Sequence, residues 1–338
     1  WGTTGSFKST LIALMLSHYG SFEPKGLPAN FRDSPKSIEE MAFQAKDTLL
    51  VVDDLYPAKD PRERAKLEGV LEYLTRNQGD RQGRGRLKST IALMSGHPPR
   101  GLALCSGETM PLSGSSLARN LVLHLLKEDI KPEKLTQAQA QKSLLSLAMR
   151  GYLEYLAPQL DTLPSQLPED FEHLREQAKQ AANKTRTRHR RLDETVAFLF
   201  LGFQLFLNYA VAQGALTQEK AVKLLQEAWE AFNQVADELA QVAEREEPTK
   251  RFFEALLELQ TQGRVYFATM GDVTPDIAER TPGAQKIGWG PDDKGVYYLL
   301  YGPAWEQVVK YLRTQEEGLS LSKNSLLDSM EQKGLLDR

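Results

Sequence analysis

Two rhythms of apolar residues alternate along the first part of the chain. In residues 9–19, Leu11, Ile12, Leu14, Met15 and Leu16 have helical spacing, and Gly20 follows as a helix stop. Residues 48–52 form instead a short apolar run that ends in Asp53-Asp54. A strand of a parallel sheet with both faces covered has this pattern. Ser34-Pro35 predicts another helix start, with Ser34 as cap and Pro35 in the first turn. Residues 62–74 predict a helix followed by a Gly/Arg loop, and 101–106 a second buried strand. The apolar stretch 117–126 fits either a strand or a helix.

From residue 136 to about 263 the pattern is almost all helical, broken between Pro158 and Pro168 and again at Gly214. Thr217 restarts a helix that continues past Phe232 to Ala243, and Glu247-Pro248 marks an end and a restart. Residues 263–268 then read as a strand. Segments 287–289 and 296–300 predict a hairpin around a long loop. Helices follow over 305–312 and 322–333, with Gly334 as the last stop. The expected domains are an α/β core (1–132), an all-α helical region (133–262) and a small α+β module (263–338) that resembles a winged helix.

Composition narrows the partners. The 338 residues carry a net charge of −3, so contact with a polyanion has to come from local patches. One cysteine, Cys105, fits a buried small hydrophobe in a reducing, cytoplasmic setting. The longest apolar run, 196–203, is too short for a bilayer and is followed by Gln204 and Asn208; no membrane partner is expected. The chain opens directly on a Gly/Thr/Ser-rich loop without the buried strand that usually precedes one, which predicts a fragment of a longer polypeptide.

That loop is Gly2-Thr3-Thr4-Gly5-Ser6-Phe7-Lys8-Ser9-Thr10. Small residues let successive backbone N–H groups face phosphate oxygens. A lysine then reaches the β- and γ-phosphates, and a hydroxyl binds Mg²⁺. The helix that follows directs its positive end at the same place. Phe7 stands where glycine is usual, so it either strains the backbone, crowds the phosphate or turns outward. A turn that merely caps a helix is the competing reading. Asp53 follows Lys8 by 45 residues, at the end of a buried strand, where ligands of α/β sheets bind. The two motifs together predict a P-loop NTPase core that binds ATP and Mg²⁺. Ser9 and Asp53 hold the metal, and Asp54 polarises the attacking water.

Four further features bear on function. At the tip of the 101–106 strand, Ser106 or Glu108 is placed to sense a γ-phosphate. Arg119 stands where ring ATPases put a finger arginine aimed at the neighbouring subunit. The loop after the 62–74 helix bears Arg76, Arg81, Arg84, Arg86 and Lys88 among glycines, chemistry suited to a phosphate backbone. A second basic run spans Lys184 to Arg191, for DNA or a subunit interface. For the first of these a turn after a core strand is the alternative, and for the others an ordinary solvated surface.

The opening loop, together with His18-Tyr19-Gly20, Asn30, Asp47, Asp53-Asp54, Pro99-Arg100-Gly101, Ser106-Gly107-Glu108 and Ala118-Arg119, resembles a family of P-loop domains. So do Met149-Arg150-Gly151-Tyr152, Ile287-Gly288-Trp289 and Gly334-Leu335-Leu336. These domains occur in replication proteins of phages, plasmids and integrated elements, often behind a primase–polymerase domain. The resemblance covers most of the chain and implies a helicase-like ATPase related to superfamily three. It implies single-stranded or forked DNA as partner, a hexameric ring of copies, and a linked primase–polymerase domain. The other readings are a nucleotide-gated switch or assembly scaffold with little turnover, favoured by Phe7 and Asp54, and a small-molecule kinase.

Overall fold

The computed structural model describes residues 1–82, 86–87, 93–94, 96–110, 114–182, 188–245, 247–269, 283–315, 318–319 and 321–337. They form two compact units, Trp1–Gln241 and Val242–Arg338.

In the first unit, α1 (Lys8–Leu16) leaves the opening loop. The two-residue strand β1 (Ala29–Asn30) leads to α2 (Pro35–Gln44), whose cap Ser34 accepts the Ser37 N–H at 3.1 Å. Strand β2 (Leu49–Leu55) is followed by α3 (Pro61–Asp80), capped by Asp60. A small antiparallel pair, β3 (Arg86–Leu87) and β4 (Leu93–Met94), precedes β5 (Leu102–Gly107). The main sheet has the order β1–β2–β5, all parallel.

Side chains alternate across β2, as a strand demands. Leu50 and Val52 join Ile38, Ala42, Leu67, Val70, Leu71 and Leu74 on the face covered by α2 and α3. Val51 joins Ile12 and Leu16 on the face covered by α1. Both faces of the strand are therefore apolar, and its carboxylates emerge only at the C-terminal end.

The segment 117–126 resolves into α4 (Gly114–Leu117) and an extended stretch. The Trp1 α-amino group donates to the Leu123 carbonyl at 2.6 Å, and the Leu125 N–H donates to the Trp1 carbonyl at 2.7 Å. This is the pattern of a parallel ladder. On the other side the Gly2 N–H donates to the Gly107 carbonyl at 3.1 Å. Residues 1–2 thus lie between β5 and 123–125.

The helical part consists of α5 (Pro132–Ala140), α6 (Lys142–Leu156), α7 (Leu163–Ala181), α8 (Arg190–Ala212) and α9 (Gln218–Arg245). The helices break near Pro158 and at Gly214, the latter with φ 69°, but the first break is shorter than read, because α7 runs from Leu163 through Pro168. By length and composition α8 is able to cross a membrane, unlike the shorter run read from the sequence, because Gln204 and Asn208 do not interrupt it. Ala197 and Phe200 of α8 share a core with Leu174, Phe171, Leu225, Trp229 and Phe232 of α7 and α9.

The second unit contains α10 (Pro248–Thr261), β6 (Val265–Ala268), β7 (Gln285–Trp289), β8 (Tyr298–Leu299), α11 (Tyr301–Thr314) and α12 (Lys323–Gln332). Glu247 caps α10 by accepting the Thr249 and Lys250 N–H groups at 3.2 and 3.1 Å. Phe252, Leu256 and Leu259 pack with Val265, Ile287, Val308, Leu312, Leu326 and Met330 in one core. Consequently α10, assigned from sequence to the helical region, packs within the last unit. The hairpin β7–β8 is present as expected. The parallel β6–β7 pair differs from a winged helix, whose small sheet is antiparallel.

Candidate functional site

The opening loop is tied together from below by its own lysine. Lys8 Nζ donates to the carbonyls of Gly2 at 2.5 Å and Thr3 at 2.8 Å, and to Ser6 Oγ at 3.3 Å. Ser6 is buried, whereas Thr3, Thr4 and Gly5 at the apex are exposed. Gly2 tolerates no side chain, since a Cβ there would stand 2.2 Å from the Leu125 carbonyl oxygen. Gly5 has φ 86°. Phe7 caps α1 at φ 62° and ψ 15°. Of the three outcomes open to Phe7, the backbone takes the strained one: a left-handed residue that glycine would supply freely. Left-handed backbone costs an L-residue about 1–2 kcal/mol. Phe7→Gly is therefore expected to be more stable than Phe7→Ala by about 1 kcal/mol, both lacking the ring. Thermal melts of the two variants check this, and an alanine variant as stable as the glycine one contradicts it.

The acid strand meets the loop through hydroxyls. Ser9 Oγ donates to Asp53 Oδ2 at 3.3 Å. Ser106, buried at the C-terminal end of β5, donates its Oγ–H to Asp53 Oδ1; the strand read as buried throughout is half-buried along 103–105 and exposed at Leu102. Thr4 Oγ1, at the loop apex, donates to Glu108 Oε1. Five predicted site residues, Thr4, Lys8, Ser9, Asp53 and Ser106, thus converge at one corner. Thr10 occupies the first turn of α1. Among the described residues no group of three His, Cys, Asp or Glu side chains is gathered for a metal. Magnesium needs none, because it binds through one or two carboxylates together with substrate phosphates and water. One hydroxyl and one carboxylate, Ser9 and Asp53, fit that donor set.

Asp54 faces elsewhere. A register irregularity between Val52 and Leu55 puts it at φ 70°. Its carboxylate lies 3.7 Å from Arg32 Nη2, just beyond β1. Arg119 is largely buried, 13% exposed, and lies 3.5 Å from Asp80. It packs so closely on α3 that a Cβ at Gly79 would stand 2.9 Å from its Cδ. Asp80 also meets Arg191 at 3.3 Å. Cys105 is half-buried and its thiol is pushed up to about 12 by burial, so it stays neutral.

The basic loop is shorter than its sequence reading, because α3 runs on to Asp80 through Gly79. Arg76 is consequently helical and pairs with Glu72 at 2.6 Å. Arg81 ends the helix at φ 48° with its guanidinium 5.8 Å from the Phe198 ring centroid. Arg84 and Lys88 lie outside the described residues, and of Arg86 only the strand backbone is described.

In the second basic run, Lys184 and Arg186 lie outside the described residues, and Arg188 is not a surface group at all. Its side chain is 2% exposed. It donates to Asp193 at 2.6 Å, to Asn233 Oδ1 at 3.0 Å, to Asp237 at 3.4 Å and to the Ala178 carbonyl. It is a structural tie among α7, α8 and α9 that the sequence reading missed. The available signal was Asn233 and Asp237, one turn apart on α9 beside buried Ala236 and Ala240.

Comparison of the chain with family models, curated proteins and solved structures gives no match.

Proposed function

We propose that this chain is a P-loop ATPase that binds ATP and Mg²⁺ at the Lys8–Ser9–Asp53 corner and uses hydrolysis to move on DNA. The reading names a helicase of a phage, plasmid or mobile-element replication protein, working in the cytoplasm as a ring of copies, likewise a proposal. The observation that carries it is the set of ties binding loop to acid strand: Lys8 under the loop, and Ser9 and Ser106 on the two oxygens of Asp53. The strand arrangement supports it too. Residues 1–2 bond to Gly107 on one side and to 123–125 on the other, so the loop opens at the sheet's carboxyl edge beside the acid strand.

In this reading the loop N–H groups and Lys8 bind the phosphates, and Ser9 and Asp53 hold Mg²⁺, which screens phosphate charge when bound. Ser106 fixes the Asp53 carboxylate. For Arg119 to act on a neighbouring copy it must leave Asp80, so its finger function requires assembly to compete with an existing ion pair. Arg76 and Arg81, which precede β3 in the chain, contribute charge to a DNA path that this reading assigns also to Arg84, Arg86 and Lys88.

A switch or scaffold with little turnover is the second reading, favoured by the Asp54–Arg32 pair. Steady-state ATPase assays with and without single-stranded DNA separate the two. A motor is expected to turn over severalfold faster with DNA. Slow hydrolysis indifferent to DNA selects the switch.

A further inference from the structure

We propose that Glu108, rather than Asp54, is the carboxylate that accepts the proton of the attacking water; this rests on the ATPase reading above. Three carboxylates lie near the loop, and their surroundings differ. Both oxygens of Asp53 are occupied by hydroxyls, Oδ1 by Ser106 and Oδ2 by Ser9, which suits a metal-holding group. Asp54 is drawn toward the β1 edge of β2, where Arg32 meets it at 3.7 Å. Arg32 is itself held there: its N–H donates to Asn30 Oδ1 at 2.9 Å, and its guanidinium lies 5.0 Å from the Tyr56 ring centroid. The strands β1 and β5 flank β2 on opposite sides, and the loop bonds on the β5 side. Asp54 therefore points away from the phosphate loop.

Glu108 is on the correct side, and its backbone is fixed from two directions. The Gly107–Glu108 peptide unit accepts the Gly2 N–H at 3.1 Å through its carbonyl and donates its N–H to Leu55 O at 2.7 Å. One peptide plane thus spans the gap between the phosphate loop and the acid strand. Glycine is required at 107, since a Cβ would stand 2.5 Å from Leu55 Cβ and from the Leu55 carbonyl oxygen. From that anchor the exposed Glu108 side chain reaches the loop apex and accepts the Thr4 hydroxyl. A general base needs to be within hydrogen-bond reach of the water it serves, and Glu108 is the carboxylate at the loop's open mouth. In the step itself, the water oxygen forms a bond to the γ-phosphorus and the bond from that phosphorus to the β–γ bridging oxygen breaks. The bonding pair leaves with ADP, and the water proton passes to the Glu108 carboxylate.

The test compares Glu108→Gln with Asp54→Asn in the full chain, with Mg²⁺ present. Binding of a non-hydrolysable ATP analogue is measured first, then single-turnover hydrolysis, then the nucleotide recovered from each protein after incubation with ATP. Glu108→Gln is expected to bind the analogue within about threefold of wild type, as uniform ground-state binding is untouched. Its hydrolysis should fall about 10²-fold or more, so that recovered nucleotide is ATP. Asp54→Asn should keep hydrolysis within about tenfold of wild type. The reverse pattern overturns the assignment. So does a Glu108→Gln protein that binds more tightly and hydrolyses normally, which would leave the Thr4 contact as a latch only. A wild type that binds no analogue overturns the ATPase reading itself, a distinct failure.

Discussion

Lys8→Ala is expected to lower ATP turnover per unit of substrate about a thousandfold, from the loss of two charge-assisted hydrogen bonds of about 1.5–3 kcal/mol each. The Lys8 ammonium now uses its donors on Gly2 O, Thr3 O and Ser6 Oγ. Phosphate oxygens are stronger acceptors than these carbonyls, because they carry charge, so substrate would draw the ammonium up through the loop. Alanine removes the cation and leaves the loop carbonyls to water. Lys8→Arg is not expected to restore activity, since a planar fork cannot replace a compact ammonium at this depth. Steady-state kinetics of wild type and both variants, with melting curves to establish folding, check the effect. A folded Lys8→Ala protein with wild-type kcat/KM contradicts the site.

Arg188→Leu is expected to destabilise the first unit by about 3–5 kcal/mol, the usual cost of removing one partner from a buried ion pair. The substitution leaves Asp193, Asn233 and Asp237 facing each other with their shared donor gone. Burial already pushes the Asp193 carboxyl up, and Arg188 is the main group opposing that push. Without Arg188 the folded-state value rises further above the unfolded one. A carboxyl raised in this way contributes stability below its unfolded value and loses it as pH rises through the folded value. The variant's deficit should therefore be larger at pH 8 than at pH 5. Denaturant titrations of both proteins at the two pH values measure it. A deficit below about 1 kcal/mol, the range for exposed pairs, contradicts the burial of Arg188.

The parts of the fold written in local pattern were legible in the sequence. The unbroken apolar run of β2 could only sit between two covered faces, and Leu50 with Val52 and Val51 divide between them. The cap at Ser34, the restart at Glu247-Pro248 and the stops at Gly214 and Gly334 are local chemistry, and each falls where it was read. The meeting of Ser9 with Asp53 was read from the opening loop motif and the acid-ended strand taken together.

What remained hidden depends on distant partners. The orientation of Asp54 is set by a register irregularity and by Arg32, neither of which leaves a pattern near residue 54. Arg188 reads as part of a solvated basic run until α9 supplies its acceptors. The continuation of α3 through Gly79 reflects close packing on Arg119 rather than helix propensity. Glu108 gains its interest from the peptide unit that links Gly2 and Leu55, a contact among three separated segments.

The most direct measurement is equilibrium binding of a fluorescent ATP analogue to the wild-type chain in Mg²⁺, with ATP, ADP and AMP as competitors. In the proposed reading Lys8 and the loop address the β- and γ-phosphates, so saturable binding displaced by ATP and ADP but not by AMP is the expected result. Absence of saturable binding, or displacement by AMP as effective as by ATP, contradicts a triphosphate site at this corner.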